Sequence, residues 1–357
     1  MYQSLYRSFR PEVFEDLLGQ EHIVKILQNQ IKNGNVGHAY LFCGTRGTGK
    51  TTTARLLAKA LNCTGEGRKP CGQCPECRAI AAGEFLDVVE MDAASNNSVD
   101  DIRTLRESVN FPPVSGKKKV YIIDEAHMLS SQAANAFLKT LEEPPADTVF
   151  ILATTDPNKL PATILSRCMR LDFRRVPEKK ISESFMKICR EIGVDAQPDA
   201  VALIASNADG SVRDGLSLLE RCIAGSDKLT RDDVHFLLGI SGVETYISIT
   251  DRIIAKDSAG ALSVLAEVLS EGKEVLQFTK DWVEHVRNLM LIKYSDDPRN
   301  LINLSDENIE RLRQQVDRIS IKEISEMVTV LSKFINDARY ASKPRILLEL
   351  AIIELCG

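Results

Sequence analysis

The 357-residue chain has no apolar run approaching the roughly 20 residues of a membrane-spanning helix, so no such helix is expected. Its first residues, Met1-Tyr2-Gln3-Ser4-Leu5-Tyr6-Arg7, lack the apolar centre of a signal peptide, and a cytoplasmic location is expected. There is no excess of basic charge: the formal net charge of −5 argues against wholesale electrostatic wrapping of nucleic acid, though it leaves room for a local basic surface. Internal repeats and low-complexity tracts are absent. The single tryptophan, Trp282, lies in a helical pattern and is expected in a core. Beyond Pro177 the chain also lacks strand-like runs, so helices alone are expected there.

What is present is concentrated in the first half. Gly44-Thr45-Arg46-Gly47-Thr48-Gly49-Lys50-Thr51 follows the apolar run Ala39–Cys43 and precedes a helical stretch beginning at Thr52. This strand, glycine loop and helix are the parts of a phosphate-binding loop. Glycines let backbone N–H groups curl around phosphate oxygens, and the helix N-terminus adds its dipole. Lys50 is expected to reach the β- and γ-phosphates and the Thr51 hydroxyl to ligate Mg²⁺, with residues Gly44 to Thr52 forming the nucleotide site for ATP or GTP.

Four of the nine cysteines, Cys63, Cys71, Cys74 and Cys77, fall within fifteen positions. Two overlapping C-x-x-C steps bring three thiolates to one ion, and Cys63 closes a tetrahedral site at Zn–S distances of about 2.3 Å. The intervening glycines and prolines supply turns and no core, so this short excursion is expected to depend on a metal for its shape. A ligand set of cysteines alone suits structural zinc, with an iron–sulfur cluster as the alternative. The other five cysteines are expected to be buried small apolar residues.

Val120-Tyr121-Ile122-Ile123 reads as a buried strand ending in Asp124-Glu125, about 73 residues after the glycine loop. At the carboxyl end of a strand in a doubly wound sheet, Asp124 is placed to hold Mg²⁺ and Glu125 to orient or deprotonate a lytic water. Further strands are expected at Leu86–Met91, at Val149–Thr155 and around Leu171–Phe173, making a five-stranded parallel sheet. Helices are expected from about Ser98 to Ser108 and from Ser131 to Leu141, the latter stopped by Glu142-Glu143-Pro144-Pro145. Residues 6–20 before the first strand are open to two readings, a wall for the nucleotide base or simple packing. Arg213 sits in the first turn of a capped helix following Asp209-Gly210-Ser211. Farther on, apolar stripes such as Leu262/Leu265/Ala266/Leu269 and Ile346/Leu350/Ile353 mark helices, and the pattern is still helical where the chain stops, so a longer natural form is expected.

Taken in order, the glycine loop, the Asp124-Glu125 strand, the Val149–Thr155 strand ending in the hydroxyls of Thr154 and Thr155, Ser166-Arg167-Cys168 and the Ser211-Val212-Arg213-Asp214 helix resemble the AAA+ ATPases of the clamp-loader group. The resemblance implies an AAA+ domain over residues 1–177 with the cysteine module at 63–77, a small helical lid at 178–241, and a helical oligomerisation collar at 242–357. It also implies that Thr155 is a sensor hydroxyl, that Arg213 approaches the γ-phosphate of its own subunit, and that Arg167 is an arginine finger completing a neighbour's site. The implied partners are other loader subunits in a hetero-oligomeric ring, a pentamer, together with a sliding clamp and primer–template DNA. Longer forms of such subunits add segments that bind helicase and polymerase. For DNA, the loop Ser95–Ser98 carries no basic residue, and Arg103 and Arg106 are the nearest candidates, with a solvated helix face as the other reading. Two alternatives stay open: another AAA+ DNA-remodelling motor for branch migration or helicase loading, and a non-hydrolysing structural loader subunit.

Overall fold

The computed structural model describes residues 4–238, 243–270, 272–295, 301–302, 304 and 306–357. The described chain forms two compact units, residues 1–231 and 232–357. The expected boundary at 241/242 lies outside the described residues.

The first unit begins with α1 (Leu5–Ser8), α2 (Glu21–Asn33), β1 (Ala39–Cys43), α3 (Lys50–Asn62), α4 (Pro75–Ala82), β2 (Val88–Asp92) and α5 (Val99–Val109). It continues through β3 (Lys119–Asp124), α6 (Ser131–Glu142), β4 (Thr148–Thr154), α7 (Ala162–Leu165) and β5 (Met169–Asp172). The five strands form one parallel sheet in the order β2-β3-β4-β1-β5. Its three central strands are almost wholly apolar because both faces are covered. Alternate side chains make two cores. Leu41, Cys43, Tyr121, Ile123, Phe150 and Leu152 meet α5 and α6 on one face. Tyr40, Phe42, Val120, Ile122 and Ile151 meet α2 and α3 on the other.

The order puts β4 between β1 and β3, so the carboxyl ends of all three converge on one edge. Cys43 pairs with Thr154 and Ile123 with Leu152, and the chain leaves these ends as the glycine loop, Thr155 and Asp124-Glu125. Strand β2 starts two residues later than expected. Asp87 is fully buried, its carboxylate accepting backbone N–H groups of Val114, Ser115 and Gly116 at 2.7–2.8 Å, and this turns Leu86 out to solvent.

The unit ends with α8 (Glu178–Glu191), β6 (Asp195–Ala196), α9 (Pro198–Asn207), α10 (Val212–Cys222) and β7 (Lys228–Leu229). The expectation of helices alone is corrected here: β6 and β7 pair in parallel, but at two residues each they are too short to show an alternating pattern.

The second unit is helical: α11 (Arg231–Leu238, entering from the last residue of the first unit), α12 (Val243–Ile254), α13 (Ser258–Ser270), α14 (Val275–Tyr294), α15 (Asp306–Val316), α16 (Ile321–Ala338) and α17 (Pro344–Cys356). Trp282 is fully buried as expected, and its Nε1 donates to Thr250 Oγ1 at 2.9 Å. The inward face of α13 is Ala261, Leu265 and Val268, while Ala266 is exposed. On α17 the inward face is Leu348, Ile352 and Leu355, and the stripe Ile346, Leu350 and Ile353 stands 49–56% exposed.

Candidate nucleotide site and cysteine centre

The glycine loop runs from the end of β1 into α3, whose first residue is Lys50. Gly47 has φ +73°, a left-handed conformation that glycine adopts without strain. A Cβ there would lie 1.9 Å from Ser211 Oγ, so the loop and the head of α10 are in direct contact. Val212 N donates to Gly47 O at 3.1 Å across the same contact. Ser211 is also the N-cap of α10, its Oγ accepting from Asp214 N at 3.2 Å. Phosphate loop and helix head are therefore assembled as one surface.

Lys50 is buried, and its Nζ donates to Gly44 O at 2.8 Å and Thr45 O at 2.9 Å, bending the side chain back over the loop. Burial lowers its pKa below the ordinary lysine value, opposed by the charges of Glu125 and Asp124. Thr51 Oγ1 donates to Asp124 Oδ2 at 2.7 Å, which joins the loop to the end of β3. Glu125 follows in the left-handed region at φ +46°, a conformation worth roughly 1–3 kcal/mol of strain in a residue with a side chain. Its carboxylate accepts from Thr155 Oγ1 at 3.2 Å and lies 3.4 Å from His127 Nδ1, which is itself 3.0 Å from Thr154 Oγ1.

The pocket over the loop is closed by the N-terminal arm, with Tyr6, Phe9 and Arg10, and by Arg213 and Leu216 of α10. The arm thus lines the pocket, one of the two readings left open for residues 6–20. Arg10 is partly buried, and that burial is the first cause lowering its pKa, with Arg55 and Arg213 adding repulsion. Gln20 is wholly buried. Its amide bridges the loop and the exit of β5, donating to Arg174 O at 2.7 Å and Thr48 O at 3.4 Å and accepting from Arg174 N at 3.1 Å.

Of the expected catalytic residues, Lys50, Asp124, Glu125, Thr155 and Arg213 gather here and Arg167 does not. Arg167 Nη2 donates to Glu142 Oε1 at 2.6 Å and Nη1 to Thr163 O at 2.8 Å, away from its own chain's pocket. Sequence reasoning assigned no role to His127, which carries no spacing signature. Tyr6 and Gln20 entered only within the two readings of residues 6–20 and Ser211 only as part of a capped helix, because their individual partners Arg213, Arg174 and Gly47 are distant in the chain. Of the candidates for DNA contact, Arg103 is paired with Asp100 at 3.1 Å, and Arg106 is exposed in the last turn of α5.

The four clustered cysteines meet between α3 and α4, with all Sγ atoms within 4.8 Å of one another. Tetrahedral zinc requires S···S spacings of about 3.8 Å from Zn–S bonds of about 2.3 Å, so this donor set fits such an ion with small adjustments. Cys63 caps the end of α3, and Cys74 is the N-cap of α4, its Sγ accepting from Cys77 N at 3.4 Å. Backbone N–H groups of Gln73 and Cys74 stabilise the Cys71 thiolate and pull its pKa to about 6. Burial raises Cys63 and Cys77. Gly65 is the cradle: a Cβ there would fall 2.6 Å from Cys71 Sγ.

A parallel α/β unit with a phosphate loop, an Asp-Glu strand beside it and a helical segment on the loop defines an AAA+ fold. Solved structures agree: the Thermotoga maritima RuvB Holliday junction branch migration motor superposes with a TM-score of 0.51 at 20% identity, over 69% of this chain and 79% of that one. Three family descriptions match in succession: "DNA polymerase III, delta subunit" over residues 19–177, "DNA polymerase III clamp loader subunit, ATPase lid domain" over 180–228, and "DNA polymerase III subunits gamma and tau domain III" over 229–357. DNA polymerase III subunit tau of Bacillus subtilis is 41% identical over 357 residues, 99% of this chain and 63% of that protein. Subunit gamma of Buchnera aphidicola is 39% identical over 323 residues, 89% of this chain and 88% of that protein. The chain belongs to the gamma and tau subunit family of bacterial DNA polymerase III. It spans less than two thirds of the tau relative's length.

Proposed function

We propose that this chain is an ATP-hydrolysing motor subunit of a clamp loader, acting in the cytoplasm within a hetero-oligomeric ring. The observation that carries this reading is the joining of Lys50, Thr51, Asp124, Glu125 and Thr155 at one edge of the sheet, with Arg213 in the same pocket. Residues Gly44 to Thr52 bind the triphosphate of ATP through backbone N–H groups, and Lys50 exchanges its carbonyl partners for phosphate oxygens. Thr51 and Asp124 hold Mg²⁺, whose charge offsets that of the phosphates. Glu125, held by Thr155, accepts a proton from the attacking water. Arg213 addresses the γ-phosphate from the lid.

Residues 1–177, 178–241 and 242–357 serve in this reading as motor, lid and collar. The exposed stripe on α17 supports a collar, since apolar surface of this kind is ordinarily covered by a partner. The partners are other loader subunits, in a pentamer, with a sliding clamp and primer–template DNA; longer forms add helicase and polymerase. The four cysteines hold structural zinc.

Arg167 supplies the trans element. In its own chain it pairs with Glu142 away from the pocket, so serving a neighbour means exchanging that carboxylate for phosphate; an arginine finger is worth about 10³–10⁵ in rate, as measured in GTPases. The test is clamp loading onto primed DNA by a reconstituted complex. With Arg167→Ala, ATP binding is expected to persist while hydrolysis and loading collapse. Full loading by that variant, or full ATPase activity of the isolated subunit, refutes the reading.

A further inference from the structure

Arg213 enters the pocket without an ionic partner: among the described residues no carboxylate pairs with it. What faces it is a ring. The guanidinium carbon lies 5.1 Å from the centroid of Tyr6, inside the range of a cation–π contact. The ring is itself fixed, with Arg7 Nε donating to Tyr6 Oη at 3.2 Å. The short helix that carries it is tied to the arginine's own helix, since Leu5 N donates to Glu220 Oε1 at 3.3 Å. On its other side Arg213 abuts the phosphate loop, where a Cβ on Gly47 would come within 3.3 Å of Arg213 Cβ.

An exposed arginine must lose side-chain freedom, about 2 kcal/mol in full, before it can grip an anion. A carboxylate would order it but would also compete for its charge. A neutral aromatic face orders the guanidinium and leaves its charge free for phosphate. We propose that Tyr6 is a positioning residue for Arg213, holding the lid arginine ready for the terminal phosphate and so sharpening preference for ATP over ADP. This rests on the reading of Arg213 given above, and it assigns the N-terminal arm a part in distinguishing nucleotides.

The experiment is equilibrium binding of Mg·ADP and of a non-hydrolysable Mg·ATP analogue to the whole chain. Tyr6→Leu is expected to weaken the ATP analogue about two- to fivefold, the equivalent of an exposed cation–π contact, with ADP unchanged. Tyr6→Phe keeps the ring face and should bind as the wild type does. In an Arg213→Ala background, Tyr6→Leu should have no further effect. Equal loss of both nucleotides, a Tyr6→Phe defect matching Tyr6→Leu, or an undiminished Tyr6→Leu effect without Arg213 each overturns the inference. If Arg213→Ala leaves the ATP-to-ADP ratio unchanged, the lid reading fails and this inference with it. If Arg213→Ala lowers the ratio but Tyr6→Leu does not, only the role of Tyr6 is lost.

Discussion

Substituting Gly47 by alanine tests whether the phosphate loop and the head of α10 are one mechanical piece. The φ of +73° costs a residue with a Cβ about 1–2 kcal/mol. The new methyl would also fall 1.9 Å from Ser211 Oγ, forcing that hydroxyl to turn away. Ser211 then ceases to cap α10, a loss of about 1 kcal/mol. Gly47→Ala should therefore destabilise the first unit by about 2–3 kcal/mol in urea unfolding and weaken ATP by moving Arg213. Ser211→Ala alone loses the cap, again about 1 kcal/mol. In the double variant the cap is lost once and the closest clash is gone, although Ser211 Cβ stays 3.0 Å from the new methyl. The double should thus be less damaging than the two singles added together, by about 1 kcal/mol. Strict additivity, or a Gly47→Ala protein as stable as the parent, would refute the contact as drawn.

Within an assembled complex, Glu125→Gln should retain ATP binding and lower phosphate release by about 10²–10⁴, whereas Lys50→Ala should lose binding as well. Metal analysis should find about one zinc per chain, lost in Cys74→Ser together with a lower melting temperature; a metal-free wild type would exclude the assignment. In the second unit, His285 is buried and its Nε2 lies 2.9 Å from Gln315 Oε1, with burial holding its pKa at about 4. A lowered histidine pKa means that the unfolded chain takes up the proton first as pH falls below 6.5. Stability should therefore drop between pH 6.5 and 4, by about 2 kcal/mol from pH 7 to pH 5. Asp281, raised by burial, acts in the opposite sense. The comparison is thus with His285→Gln, which should flatten the acid side of the curve; identical curves would count against the buried neutral histidine.

The parts legible from sequence were those whose chemistry is local. Gly44–Thr51, the Asp124-Glu125 strand end and the cysteine spacing each carry their function within a short segment, and the structure brings each set together. The bridge made by Gln20 was not legible because its partner is Arg174, 154 positions away. Tyr6 and Ser211 stood in segments given a role, but their specific partners, Arg213 and the loop, were hidden for the same reason. The stripe Ile346/Leu350/Ile353 teaches a different lesson. Its period correctly announced a helix, but period alone does not say which face turns inward, and Leu348, Ile352 and Leu355 took the core. Arg167 could be valued only through family resemblance, since within one chain it is an arginine beside a glutamate.

The strand order has a consequence for synthesis. β1 is the first strand made, yet both its neighbours come late: β4 ends at Thr154 and β5 at Asp172. Until β4 has emerged as far as Thr154, Ala39–Cys43 has no edge to pair with, and the glycine loop hangs from an unpaired apolar strand. β2 and β3 can pair with each other in the interval, but neither pairs with β1. The nucleotide pocket is thus among the last features of the first unit to form on the ribosome. During that wait, a five-residue apolar segment near the N-terminus stays open to chaperones or to the wrong neighbour.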